Sequence, residues 1–333
     1  MNFLTSTLTR TAFRALAVVV PNRLSILIFH RVHARPDSIF PSEPDAQSFD
    51  RLMRHVAGTF NVISLGEAAN RLSSDTLQAN SLVITFDDGY ADNAEVALPI
   101  LQRHGLRATF FISTGFLDGG RMWNDSVIEC LRHTQKQTLD LGEFGLGNVH
   151  LDSAETRRHT IEALLLQIKY LTLEERDKAI SRLQRLCDLG KLPSDLMMCT
   201  EHVRQLHAAG MECGGHTVNH PILQTLSLDA ARDEIALGKR HLEAIIDAPI
   251  DVFAYPNGKP DQDYSAEHAR LVENLGFRCA VTTAKGAAQA GDDLYQIPRY
   301  SPWGNSLPVW SGRLFMNQVR RDYNVAAPLF PRS

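Results

Sequence analysis

The sequence predicts an α/β fold in which parallel strands alternate with helices. Short apolar segments typical of buried strands recur along the chain, separated by longer segments with helical periodicity. Ionisable residues also stand where several apolar segments end, and the carboxyl ends of parallel strands meet at one rim of a sheet or barrel. With 333 residues, the chain is long enough for one large domain of this kind or for two smaller domains.

The predicted strands and helices follow one another through most of the chain. We expect strands at LSILIF (24–29), NVIS (61–64), SLVITF (81–86), RATFFIS (107–113), GMECGG (210–215), DVFAY (251–255) and RCAVTT (278–283). We expect helices at 45–58, 92–105, 228–247 and 264–275. Because helical sequence separates most of the strands, the strands are expected to pair in parallel.

A long segment, from about residue 115 to about residue 198, interrupts this alternation. It contains a stretch dotted with glycine (139–152) and then charged helical sequence from 153 to about 189. Such a segment is too long for an ordinary strand-to-helix loop and too structured for a linker. We therefore predict a helical insertion, a lid or subdomain, within a domain at 23–310. An N-terminal segment (1–22) and a C-terminal tail (311–333) are expected to flank this domain.

The composition indicates which binding partners and which cellular compartment to expect. Hydrophobic residues make up 44% of the chain, so we expect a large core. The net charge is −4, so we do not expect a positively charged surface that binds nucleic acid. The five cysteines form no CxxC pair, which indicates a reducing compartment rather than a disulfide framework. The apolar run at 15–20 is too short for a signal sequence or a membrane span. We expect a cytoplasmic protein.

The N-terminal segment, residues 1–22, has a character of its own. No acidic residue precedes Asp37, whereas basic residues recur, and Leu4, Leu8, Ala12 and Leu16 fall at helical spacing. Two interpretations remain open: a basic amphipathic helix bound peripherally to the inner face of a membrane, or a helix packed on the domain.

Two consecutive carboxylates, Asp87 and Asp88, follow the apolar segment SLVITF. Neighbouring carboxylates repel each other, and burying an ionised one without a partner is costly. His216 and His220, in GGHTVNHP, have the spacing that lets two imidazoles face one ion. One carboxylate and both imidazoles form a three-ligand site with room for water, as in catalytic zinc sites. The other carboxylate then remains an anion nearby, if the chain turns at Gly89.

Each motif has a plainer interpretation when it is taken alone. An Asp-Asp pair at a strand end can cap a helix or form a turn. The HxxxH spacing also occurs on exposed faces, and a single histidine such as His30, which follows LSILIF, is often a hydrogen-bonded core residue. The shared position of these motifs at strand ends favours one metal site over separate explanations. Half of a zinc finger, Cys213-x2-His216-x3-His220, is not favoured because no second cysteine lies at the short spacing.

The motifs TFDDG, HTVNH and FAYPNG, in this order, resemble those of the polysaccharide deacetylase family (the NodB-homology, carbohydrate esterase family 4 group). The resemblance covers about residues 24–303 and implies a distorted (β/α)7 barrel. It implies that Asp87 is the general base and that Asp88, His216 and His220 bind a metal, usually zinc. The segment IFHRV resembles a permuted branch in which the catalytic histidine lies near the N-terminus, so His30 is implied to be the general acid.

The same resemblance implies the reaction and some substrate contacts. It implies metal-dependent removal of an N-acetyl group from an amino sugar in a polysaccharide or its lipid-linked precursor. The run IPRYSPWG and others are similar to deacetylases encoded beside exopolysaccharide and exosortase genes, and the arrangement is similar to that of poly-N-acetylglucosamine deacetylases. The residues expected to contact the substrate or the oxyanion are Tyr255, Pro256, Asn257, Arg299 and Trp303.

The sequence also departs from the family pattern. FAYPNG lacks the arginine that orients the base in many relatives, and Arg31 and Arg299 are the candidates to replace it. Two other functions stay open: a metal-dependent amidase or deformylase for a small or lipid-linked substrate, and a carbohydrate-binding relative without catalysis. The presence of all five implied metal and catalytic residues disfavours the second.

Overall fold

The computed structural model describes residues 22–301, 306–320 and 323–327. Trp303 and all but the last residue of the predicted N-terminal segment (1–22) lie outside these ranges, so the expectations about them stay predictions. Within the described ranges, no helix has both the length and the apolar character that a membrane span requires.

Parallel strands form the centre of the fold. In chain order the strands are β1 (Ser25–Phe29), β2 (Asn61–Val62), β3 (Ser81–Phe86), β4 (Thr109–Ile112), β5 (Thr138–Leu141), β6 (Gly147–His150), β7 (Glu212–Gly215), β8 (Val252–Ala254), β9 (Cys279–Lys285) and β10 (Ile297–Arg299). Seven of them pair in parallel in the order β1-β3-β4-β7-β8-β9-β10, and β2 pairs with β3 beside this path.

Tyr300 connects the two ends of this strand order. Its N–H donates to the carbonyl of Ile26 at 2.8 Å, and its own carbonyl accepts from the N–H of Ile28 at 3.3 Å. The sheet is thereby nearly closed into a barrel of seven strands, which is the (β/α)7 architecture that the sequence led us to expect.

Helices connect the strands and pack against them. In chain order they are α1 (Ala46–Thr59), α2 (Leu65–Ser73), α3 (Leu98–Arg103), α4 (Trp123–His133), α5 (Ala154–Ile168), α6 (Leu173–Leu186), α7 (Thr200–Ala208), α8 (Leu228–Ile246), α9 (Ala266–Asn274) and α10 (Leu307–Val319). A π-helical turn at Asn93–Ala97 leads into α3. The predicted start of the C-terminal tail, residue 311, falls within α10. Buried Trp310 and Leu314 pack this helix against the core.

Strand β3 shows how the barrel is packed. All six of its residues are buried, which explains its unbroken apolar sequence. Leu82, Ile84 and Phe86 pack with the helices in the largest core cluster, whereas Val83 joins a second cluster that includes α2. The carboxylate of Glu212, at the start of β7, accepts from the backbone N–H of Leu65 at 2.9 Å and of Gly66 at 3.0 Å. Helix α2 is thus held at the amino ends of the strands, opposite the predicted site.

The predicted insertion contains α4, the antiparallel hairpin β5–β6, α5 and α6. Their apolar side chains form a third core cluster, to which Ile39 and Phe40 from the loop after β1 also belong. Arg132 on α4 forms an ion pair with Asp37 of that loop at 2.7 Å. The insertion is therefore a subdomain with its own core, attached to the barrel beside β1.

Tyr90 links this subdomain to the rim of the barrel. Its hydroxyl donates to Asp125 Oδ1 on α4 at 3.1 Å, and the Arg31 guanidinium lies 4.6 Å from its ring centroid. Burial raises the pKa of Asp125 to about 7, and the attraction of Arg31 offsets this effect only in part. A neutral Asp125 carboxyl therefore lies where the insertion meets the barrel, at pH values where exposed aspartates are ionised.

We predict that Asp125→Asn makes the protein more stable at high pH, with chelator present in all samples. Between pH 3.8 and about 7, the folded chain holds a proton on Asp125 that the unfolded chain has lost, so wild-type stability falls as the pH rises through this window. The variant has no ionisable group at this position, so its stability does not fall in this way. Its free energy of unfolding should exceed that of wild type by up to about 4 kcal/mol at pH 8.

Urea unfolding at pH 5 and pH 8 measures this difference. The difference should be about 2 kcal/mol at pH 5, which is well below that at pH 8. The exposed control Asp195→Asn should behave as wild type at both pH values. An equal difference between Asp125→Asn and wild type at the two pH values would show that Asp125 does not titrate in this way.

Candidate functional site

The carboxyl ends of four strands bring the predicted residues to one end of the barrel. His30 follows β1, Asp87 and Asp88 follow β3, His216 follows β7, and Arg299 is the last residue of β10. β1 and β10 are neighbours only because the barrel closes, so closure is what completes this set.

The chain turns at Asp88 itself, one residue earlier than expected. Asp88 has a φ of 78° and Gly89 has a φ of 89°, both in the left-handed region. A left-handed backbone is unfavourable for a residue other than glycine, and such strain is concentrated at functional sites. A Cβ at position 89 would lie 3.0 Å from Ile112 Cγ2, so glycine is needed there as well. The turn sends the two carboxylates to different partners.

Asp88 faces two imidazoles. Its Oδ1 lies 3.3 Å from Nε2 of both His216 and His220, and the three ligand atoms lie within 4.8 Å of one another. These distances are long for charge-assisted hydrogen bonds of about 2.7–2.9 Å. They match ligands placed about 2.0–2.1 Å from a tetrahedral ion, which lie roughly 3.3–3.4 Å apart. Thr217 and His220 both have positive φ, so a compact loop rather than a helical turn brings the imidazoles together.

The surroundings of the two imidazoles also suit a cation. His216 Nδ1 lies 2.7 Å from the carbonyl of Ala254, which can only accept, so Nδ1 carries the proton and Nε2 is free to bind an ion. Burial lowers the pKa of His220, although Asp88 opposes this, and favours the neutral form that metals bind. Burial would raise the pKa of Asp88, but its contacts with His216 and His220 hold this pKa well below its usual value. The residues present therefore fit a divalent cation.

Asp87 has a different partner. Arg299 Nη1 and Nη2 donate to Asp87 Oδ1 and Oδ2 at 2.6 and 2.7 Å. The guanidinium is only 1% exposed, and the carbonyl of Thr282 and the hydroxyl of Thr85 fix it at 2.9 and 3.1 Å. Burial would raise the pKa of Asp87, but the charge and hydrogen bonds of Arg299 outweigh it and keep the pKa below the usual value. Asp87 is thus an anion held in a fixed orientation.

This pairing corrects the expectation that Arg299 contacts substrate. The buried side chain lies behind Asp87 and holds both of its carboxylate oxygens, which is the position expected of the arginine that FAYPNG lacks. The other candidate, Arg31, pairs with Asp92 at 2.8 Å. No sequence pattern distinguishes Arg299 from Arg31 as the partner of Asp87, because Asp87 and Arg299 are 212 residues apart.

The loop after β8 also differs from the expectation. The Tyr255 side chain is fully buried, stacks on Tyr264 at 4.0 Å and donates its hydroxyl proton to the carbonyl of Tyr295, so it is not a sugar-stacking residue. The N–H groups of Tyr255 and Gly258 bond to backbone carbonyls, and Pro256 has no N–H. Among the described residues, only Asn257 keeps a free N–H in this loop, and Asn257 lines the cleft.

A cleft of about 480 Å³ opens over this site, within the usual size range of ligand pockets. Its barrel wall includes His30, which is exposed, and all of the metal-site residues. Its other wall is built by the insertion, from α4 and α5, and includes Trp123, Leu165, Leu166 and Lys169. The predicted insertion therefore contributes directly to the site.

Comparisons with known proteins show the family and the fold of this chain. The sequence model of the family described as Polysaccharide deacetylase matches residues 74–280, between His30 and Arg299. YxkH of Bacillus subtilis (strain 168), which carries the same family name, is 22% identical over 282 residues, or 84% of this chain and 71% of YxkH.

Solved structures share the fold. The deacetylase PplD of Streptococcus pyogenes, in complex with acetate, is 19% identical, with a TM-score of 0.59 over 90% of this chain and 100% of its own. IcaB from Ammonifex degensii is 16% identical, with a TM-score of 0.53 over 89% of this chain and 97% of its own. Because the family model matches more than half of the 333 residues, the chain belongs to the polysaccharide deacetylase family.

Proposed function

We propose that this protein is a zinc-dependent deacetylase that removes the N-acetyl group from an amino sugar in a polysaccharide or in its lipid-linked precursor. The observation that carries the proposal is that two adjacent carboxylates have different partners. Asp88 faces two imidazoles, whereas Asp87 is held by Arg299. Family membership supports the choice of an acetylated glycan as substrate.

Asp88, His216 and His220 are the proposed metal ligands. These two imidazoles and one carboxylate would hold a divalent ion such as zinc with room for water, as in zinc hydrolases. When bound, zinc supplies Lewis acidity, which polarises an acyl oxygen and lowers the pKa of water from about 15.7 to about 7.

Asp87 acts as the general base. It lines the cleft beside the three ligands and is ionised in the folded chain, so it can accept a proton from the attacking water. Each of its oxygens accepts one hydrogen bond from Arg299 and keeps a second lone pair for this proton. Arg299 is a positioning residue, because its own contacts with Thr85 and Thr282 leave it one orientation.

His30 and Asn257 complete the proposed machinery. His30 lies on the exposed side of the cleft and donates a proton to the leaving amine of the sugar as the C–N bond breaks. Asn257 lines the same cleft, and its backbone N–H is the proposed donor to the oxyanion of the tetrahedral intermediate. The water oxygen ends in acetate, and the sugar leaves with a free amino group.

We predict that the zinc-loaded protein releases acetate from N-acetylglucosamine oligosaccharides and that His30→Ala lowers kcat by on the order of 10²–10⁴. The variant lacks the proton donor but keeps all three metal ligands, so its zinc content should equal that of wild type. Acetate release, measured with metal analysis of the same samples, checks both statements. His207→Ala, at an exposed position on α7, is the matched control.

Other outcomes would favour the rival functions. Release of formate from an N-formyl sugar without release of acetate would indicate a deformylase. Oligosaccharide binding by a zinc-loaded protein that releases no acyl group would indicate a carbohydrate-binding protein.

A second prediction concerns the ion pair between Asp87 and Arg299. Arg299→Met leaves the buried Asp87 carboxylate unpaired, which should cost about 3–5 kcal/mol of stability and most of the acetate release. The double variant Asp87→Asn/Arg299→Met removes both charges, so it should regain much of the stability but none of the activity. Urea unfolding and acetate release measure the two effects. If the single and double variants were equally unstable, the pair would not act as a buried charge pair.

A further inference from the structure

We propose that helix α10 and the N-terminal segment (1–22) form a surface that binds anionic phospholipid, so that the protein attaches peripherally to a membrane. The inference goes beyond the proposed reaction and does not depend on it, because binding to lipid requires neither the metal nor the general base. Three features carry it: the exposed apolar residues of α10, the charges beside them, and the place where the N-terminal segment joins the fold.

Helix α10 exposes an apolar stripe to solvent. Trp310 and Leu314 pack this helix against the core. Four of its other large apolar side chains are between 37% and 66% exposed: Leu307, Val309, Met316 and Val319. In the described ranges, no other helix exposes more than two such side chains. Single exposed apolar residues are common on protein surfaces, but a contiguous group of them marks an interaction surface.

The charges beside this stripe favour an anionic partner. No acidic residue occurs in the sequence between Asp293 and Asp322, which includes all of α10. Arg313 and Arg320 are exposed three residues before and four residues after Met316, at spacings that share one face of a helix. Exposed apolar side chains flanked by arginine are typical of helices that lie on anionic membranes.

The N-terminal segment joins the fold beside α10. Arg23, one residue after this segment, donates from Nη1 to the carbonyl of Ala287 at 3.3 Å. Asn317, in the last turn of α10, donates from Nδ2 to the carbonyl of Gly286 at 2.9 Å. Two consecutive residues therefore hold both the start of the barrel sequence and the end of α10, so the N-terminal segment departs from the same part of the surface as the apolar stripe.

An anionic membrane suits these two elements better than the other possible occupants of the stripe. The N-terminal segment contains Arg10 and Arg14 and no acidic residue, so it would be repelled by the arginines of α10 if it folded back over this helix. A second copy of the chain would meet the same objection, because a symmetric dimer brings the same face of both copies together. Anionic lipid attracts both elements and accepts their apolar side chains.

Sedimentation with vesicles tests the inference on the whole chain. We expect binding to phosphatidylcholine vesicles that contain one-third phosphatidylglycerol, at least about tenfold weaker binding to pure phosphatidylcholine, and loss of the difference as NaCl rises from about 0.1 M to about 1 M. On the anionic vesicles, Arg313→Gln should lower the partition coefficient about fivefold and Met316→Glu at least about tenfold. Leu237→Glu, at a 39% exposed apolar position on α8, is the matched control and should bind as wild type.

A fluorescent label shows whether α10 itself contacts the lipid. Cys199→Ser removes the one described cysteine that is not buried, and Met316→Cys then accepts a nitrobenzoxadiazole label. Its emission should shift to the blue when anionic vesicles are added, whereas the same label on Leu237→Cys should not respond.

Two results would overturn the inference. One is equal binding, or no binding, to the neutral and anionic vesicles. The other is a label at position 316 that is already shielded without vesicles and does not respond to them, which would show that α10 is covered by this chain or, if the shielding depends on protein concentration, by a second copy. Neither result bears on acetate release, so the proposed reaction is tested separately.

Discussion

The ion pair between Asp87 and Arg299 spans the interior of the barrel, from the end of β3 to the end of β10. It forms only because the barrel closes through Tyr300. A buried ion pair contributes little net stability compared with apolar residues of similar volume. Its contribution here is to keep one carboxylate ionised and oriented without a metal. That arrangement leaves Asp88 as the carboxylate that faces the two imidazoles.

The left-handed turn at Asp88 converts two neighbouring residues into two separate functional groups. Asp87 continues the alternation of β3 into the barrel, where Thr85 contacts the same guanidinium. Asp88 leaves that alternation and meets the loop after β7. The strained backbone and the buried charge pair thus place one carboxylate against two imidazoles and hold the other beside it as an oriented anion, and the insertion walls the cleft above them.

Much of this site was predictable from sequence, and the remainder depended on tertiary structure. Asp87, Asp88, His216 and His30 follow apolar segments long enough to be recognised as strands, so their place at one rim followed from parallel pairing. Arg299 ends a strand of only three residues, IPR, which has no apolar alternation to reveal it. Stacking on Tyr264 sets the direction of the Tyr255 side chain. Packing within the insertion sets the position of the cleft wall formed by α4 and α5. No local sequence pattern encodes either of these features.

The central claim is that the two carboxylates have separate jobs, and zinc stoichiometry combined with acetate release tests it most directly. The account predicts that Asp87→Asn retains one zinc per chain but loses acetate release. It predicts that Asp88→Asn loses both. Loss of zinc from Asp87→Asn, or full zinc content in Asp88→Asn, would contradict this division of roles.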